Sequence, residues 1–159
     1  MANDFDKAFL ILMDNEGGLS NNRNDPGGLT MYGISKASYP QVDIPNLTLE
    51  QAKAIYLRDF WQEGLPWPLS LLVFDYSVNS GKYKAVRDLQ LALGLSADGI
   101  LGPQTISSSN RATPATLRYY LRKRLDYMFS LRTWPSFGEG WIDRILKLAG
   151  YIPTQVLPE

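Results

Sequence analysis

Two carboxylates open the chemical reading of this chain. Glu16 stands three residues after Met13 and four after Leu12, at the end of a segment whose apolar positions (Phe5, Phe9, Leu12, Met13) recur with helical spacing. A helical continuation puts its carboxyl on the apolar face, where loss of water disfavours the ionised form. The negative end of the helix dipole adds roughly 0.3–1 kcal/mol, which is under one pKa unit, so desolvation dominates. A carboxylic acid still protonated near neutrality is what general acid catalysis requires. A frayed helix end with Glu16 in water is the alternative that position alone leaves open.

Asp25 follows with eight residues between, inside Asn24-Asp25-Pro26-Gly27-Gly28-Leu29-Thr30. A desolvated acid and an exposed carboxylate on a glycine-bent loop form the arrangement that glycoside hydrolysis uses. One protonates the leaving oxygen while the other stabilises positive charge or activates water. Gly27 and Gly28 allow the backbone to approach a sugar closely. The Thr30 hydroxyl is suited to holding an attacking water, a task with no purpose if Asp25 attacks directly, so inversion is the expected stereochemistry. Asp25-Pro-Gly-Gly is equally well read as an ordinary turn.

The rest of the composition narrows the chemistry further. The 159 residues include no histidine and no cysteine. Disulfides, Cys- or His-based metal sites and His-dependent nucleophiles are thereby excluded. Proton transfer falls mainly to carboxylates, Tyr or Lys, and no cofactor or metal is expected. Sixteen Lys+Arg balance sixteen Asp+Glu, whereas a nucleic-acid binder normally carries a basic excess. The balance hides an asymmetry. Residues 1–63 carry 5 basic and 9 acidic groups, and residues 111–147 carry 8 basic and 3 acidic. That basic stretch either faces an anionic surface such as a bacterial wall or simply solvates the outside of a helix.

The elements that must position these groups read as mostly helical. Thr48 with Gln51 forms a capping box, followed by Leu49, Ala52, Tyr56 and Phe60 on one face. Leu69–Asn79 reads as a largely buried helix stopped by Gly81, and residues 82–93 as an amphipathic one with Val86, Leu89 and Leu93 inward. Pro103 suits the first position of a short helix. Leu117, Leu121, Leu125 and Met128 mark a helix over about 114–132, and Trp141, Ile145 and Leu148 mark the last. The class is all-α, with at most a small hairpin in the loop after Gly18. No stretch approaches the ~20 apolar residues a bilayer span needs, and the acidic start lacks a signal-peptide pattern. Synthesis in the cytoplasm, release by a signal-independent route and a monomeric state are the expectations.

Glu16-Gly-Gly-Leu19, Asn24-Asp25-Pro-Gly-Gly-Leu-Thr30 and Tyr32-Gly33-Ile34 together resemble the signature of glycoside hydrolase family 108, the phage-type N-acetylmuramidases. Asp75-Tyr-Ser-Val-Asn79-Ser80-Gly81 is similar to the Asp-x-Ala-Val-Asn-x-Gly segment of the same family. The acid-to-Asp spacing is also similar to that of phage T4-type lysozymes, whose threonine lies one residue further on. The resemblance implies a lysozyme-like helical fold and cleavage of peptidoglycan beside N-acetylmuramic acid. Glu16 would be the acid, and Asp25 and Thr30 its partners. Tyr32, inside the loop motif, would contact sugar, as would Asn79 by hydrogen-bonding an N-acetyl group. Asn79 is as well read as a helix C-cap.

Val86-Arg-Asp-Leu-Gln90, Leu93-Gly94, Asp98-Gly99, Gly102-Pro103 and Thr105 resemble the helical peptidoglycan-binding module. Physically, these residues specify a turn and a helix start over a core of Leu89, Leu93, Ile100 and Ile106. The division implied is a catalytic region at 1–81 and a binding-like region at 82–159, packed as one integrated domain. Peptidoglycan glycan strands are the expected partner, with neither nucleic acid nor stable membrane insertion. Two rival functions remain: a lytic transglycosylase using Glu16 alone, and a non-catalytic wall-binding or secretion-accessory protein.

Overall fold

The computed structural model describes residues 3–15, 20–21 and 28–154. Seven α-helices and three short strands make up the described chain, the all-α lysozyme-like class expected. The chain separates into two compact units, residues 1–61 and 62–159.

The first unit begins with α1 (Asp4–Asn15). The Asn3 side chain accepts the Asp6 backbone N–H at 2.8 Å, an N-cap that satisfies one of the free donors of the first turn. Asp4 and Asp6 in that turn complement the helix dipole. Phe5, Ala8, Phe9 and Leu12 form the buried stripe. Strands β1 (Ser20–Asn21), β2 (Leu29–Met31) and β3 (Ile34–Ser35) form an antiparallel meander. Three strands stand where the sequence suggested a hairpin at most, because two- and three-residue strands are too short to show an alternating pattern. A single 3-10 turn at Ile44–Asn46 leads to α2 (Leu49–Asp59), which opens with the expected Thr48–Gln51 capping box. Ala52, Ile55 and Tyr56 face inward, while Leu49 is 41% exposed rather than on the buried face. Phe5 meets Trp61 edge-on at 5.4 Å, and Lys53 on α2 pairs with Asp6 on α1 at 2.7 Å.

The second unit is built around α3 (Leu69–Ser80), buried continuously from Leu69 to Ser77. A helix that is apolar on all sides must be covered on all sides, and α4 (Lys82–Ala92) and α6 (Pro114–Phe129) do so. The short α5 (Pro103–Ser109) starts at Pro103 as predicted, and α7 (Trp134–Ala149) packs on α6. Gln90 braces the turn before α5. Its side-chain amide donates to Asp98 Oδ1, the Ile100 carbonyl and Thr105 Oγ1 at 2.7–3.1 Å, and its oxygen accepts the Gly99 N–H at 2.8 Å. The Asp98-Gly99 and Thr105 motif residues therefore make the fold, although Ile100 is 67% exposed and contributes nothing to the core.

The inward face of α6 holds three of the four residues whose spacing marks the helix, and adds Tyr120 and Arg124 to them. Leu117, Tyr120, Leu121, Arg124 and Met128 are buried, and Leu125 is only half-buried. Arg124 has no exposed surface and donates to Asp75 Oδ1 at 2.8 Å, and Arg144 on α7 donates to the same carboxylate at 2.9 Å. Two of the eight cations assigned to a basic surface thus ion-pair with Asp75 instead.

Candidate active site

The carboxylates Glu16 and Asp25, along with Gly17 and Gly18, lie outside the described residues. What the structure describes is the frame on either side of them. Glu16 is the residue after Asn15, where α1 ends with its Asn15 amide donating to the Ile11 carbonyl at 3.3 Å. Asn21 pairs with Leu29, so β1 and β2 bring together the two ends of the segment that contains Asp25.

Thr30 occupies the middle of β2, half-buried, opposite Ser20 on one side and Ser35 on the other. Pairing on both edges fixes its backbone twice, which a loop residue would lack. The Thr30–Ser35 and Met31–Ile34 register leaves Tyr32 and Gly33 as a two-residue turn. Such turns match strand twist when both central residues have positive φ, which is why Asn-Gly is the usual choice. Here the values are 52° at Tyr32 and 78° at Gly33. The left-handed conformation costs a side-chain-bearing residue roughly 1–2 kcal/mol, and strain of that kind concentrates at functional sites. Tyr32 is half-buried, and its carbonyl accepts the Tyr56 hydroxyl at 2.8 Å.

Thr30 and Tyr32 are therefore brought together on one hairpin within the 1–61 unit. Asn79 belongs to the other unit, exposed in the last turn of α3. It is not the cap, since α3 continues to Ser80 and Gly81 takes that position with φ 88°.

The Asp75 in the same motif has a role that composition and spacing missed. Burial alone would raise its pKa, but Arg124 and Arg144 outweigh that and hold it below the usual carboxylate range. Arg124 also lies over the Tyr76 ring at 5.0 Å. Tyr76 donates its hydroxyl to Asp88, which Lys84 approaches at 3.1 Å, so α3, α4, α6 and α7 share one buried polar network. Desolvation, then Asp88, raises the Tyr76 pKa. Asp75 is thus a structural ion partner and not a second catalytic carboxylate. The signal was present in the sequence: a lone carboxylate inside the apolar run Leu69–Tyr76 has to be paired.

Among the described residues no three Asp or Glu side chains gather as a metal-binding group, and no helix is long and apolar enough to cross a membrane.

Residues 9–81 match the family model for glycosyl hydrolase 108. Among solved structures, the chain is similar to SagA of Brucella abortus, with a TM-score of 0.83 and 26% identity over 96% of this chain and 98% of that one. No curated protein matches it. The matched span contains Glu16, Asp25, Thr30, Tyr32 and Asn79, and both paired edges of Thr30. Residues 9–81 are thus similar to glycosyl hydrolase 108 and form a glycosyl hydrolase 108-like domain.

Proposed function

We propose that the protein is an N-acetylmuramidase that cleaves the β-1,4 bond between N-acetylmuramic acid and N-acetylglucosamine. Glu16 protonates the leaving oxygen, while Asp25 and Thr30 position the water that attacks from the opposite face. The observation that carries this reading is the register around Thr30. A hydroxyl on a backbone fixed by strand pairing on both sides, five residues from a carboxylate in the matched span, suits the holding of a water. Displacement by that water inverts the anomeric centre. Tyr32 and Asn79 are the proposed sugar contacts.

In this reading residues 1–81 are catalytic and residues 82–159 are a binding-like region. The protein acts as a monomer on peptidoglycan glycan strands, without cofactor or metal and without binding nucleic acid or inserting stably into membrane. Clearing of purified sacculi by the wild type and by Glu16→Gln tests the reading. Loss of clearing in the variant, with products that have gained water and an α-anomer formed first, supports it. Anhydro-sugar ends would instead mean transglycosylation, and a β-anomer would mean attack by Asp25. An inactive wild type would leave only a wall-binding protein.

A further inference from the structure

The β2–β3 turn raises a question that its own sequence does not answer. Gly33 accepts its φ of 78° freely, but Tyr32 at 52° does not, and such a conformation persists only when its surroundings enforce it. The Tyr56 hydroxyl, donating to the Tyr32 carbonyl at 2.8 Å, is placed to enforce it. Tyr56 is 1% exposed, with the rings of Phe9 and Phe60 at 5.8 and 5.7 Å, so the hydroxyl arrives from a fixed direction. Phe9 belongs to α1, the helix whose last residue precedes Glu16, and Tyr32 stands two residues after Thr30.

We infer that Tyr56 is a positioning residue of the hydrolase site, locking the hairpin that bears Thr30 to the helix that leads into Glu16. This rests on the muramidase reading above. Tyr56 is buried and acts through other residues. Its ring packs on Phe9 of α1, its hydroxyl holds the backbone of the turn, and the β2–β3 pairing passes that constraint two residues back to Thr30. Without the hydroxyl, only the short β2–β3 register holds Tyr32 in the left-handed region, and the water-holding group moves more freely with β2.

The test is a double-mutant cycle in the full chain, with kinetics on defined glycan strands and amide hydrogen exchange in the folded state. Tyr56→Phe keeps the ring and removes the hydroxyl that makes the tether. It is expected to lower kcat about three- to tenfold, the span of one ordinary hydrogen bond, with KM changed by less than about twofold. The Lys36 N–H, bonded to the Leu29 carbonyl at 2.9 Å across the hairpin, should exchange faster. Asparagine enters the left-handed region readily, so in a Tyr32→Asn background the further loss from Tyr56→Phe should shrink to less than about twofold. An equal loss in both backgrounds, an unchanged kcat, or unchanged Lys36 exchange overturns the inference. A Glu16→Gln variant that still cleaves glycan overturns the muramidase reading instead, so the two failures are distinguishable.

Discussion

Residues 1–61 gather their candidate chemistry around short strands and segments between elements, whereas residues 62–159 bury theirs at the centre of a helical bundle. In the first unit Thr30 and Tyr32 sit half-buried on a hairpin of a few residues, held from behind by the buried Tyr56. In the second, Asp75 and Arg124 are fully buried, and they tie α3 to α6 while Arg144 adds α7. The two arrangements serve different ends. A reacting group must meet substrate, so it belongs on an edge with a rigid support. A buried ion cluster cannot meet substrate, and what it supplies is the placement of helices. Two carboxylates of one family-like stretch, Asp25 and Asp75, therefore carry opposite expectations under mutation.

The largest contrast should come from Glu16→Gln. Loss of the proton donor is expected to lower glycan cleavage about 10²–10⁴-fold, with the thermal transition unchanged. Retention of a tenth of wild-type clearing would remove Glu16 from the acid's role, and a lowered melting temperature would move it to the structural side of the comparison.

Asp75→Asn should do the reverse, costing about 3–5 kcal/mol of stability because it takes the counter-charge away from the fully buried Arg124 guanidinium. The pH dependence has a definite sign. The Asp75 pKa is depressed on folding, so its stabilisation is present above the unfolded carboxyl pKa of about 3.9 and is lost as pH falls through the lower folded value. Denaturant titrations of the wild type and Asp75→Asn should converge over that acidic range. Equal stabilities at pH 7 would show that the cluster contributes nothing net.

These particular residues also show which parts of the molecule were legible. Capping at Thr48, the start at Pro103 and the buried run of α3 are local signals, written within a few residues, and each appears as read. The burial of Arg124 on α6 was not legible because it counts as polar in any periodicity, and its partner Asp75 is 49 residues away. The Tyr56–Tyr32 bond spans 24 residues and is invisible for the same reason. The motif around Thr30 was legible as chemistry, but its three-stranded frame was not, since such short strands depend on pairing rather than on pattern. What the sequence spells locally survives, and what depends on a distant partner has to be seen.

A middle-sized effect is expected at Gln90, which belongs wholly to the second unit's fold. Gln90→Ala removes the amide's two N–H donors, shared among three acceptors, and one accepted bond from the Asp98–Thr105 turn. Leaving buried groups such as Thr105 unsatisfied costs about 1–3 kcal/mol. Chemical denaturation should register that loss with the specific activity of the folded protein unchanged. Unchanged stability would mean that the Asp98–Ile100 bond holds the turn alone.

The smallest effect concerns charge, and here the buried cluster alters the expectation. Of the eight cations between 111 and 147, Arg124 and Arg144 are committed to Asp75, leaving six against three acids on that stretch. Arg118 and Arg122 are exposed one helical turn apart on α6 and are the natural probes. If this face attracts an anionic wall, the attraction acts between exposed groups and is screened over about 8 Å at physiological ionic strength. Each surface pair is worth about 0–1 kcal/mol, so Arg118→Glu with Arg122→Glu should weaken sacculus binding only a few-fold at low salt and not at all in several-hundred-millimolar salt. The wild type should lose the same few-fold on adding salt and then coincide with the variant. Binding indifferent to both salt and substitution would make the exposed arginines a solvated helix face. Wall recognition, if any, would then rest on uncharged contacts.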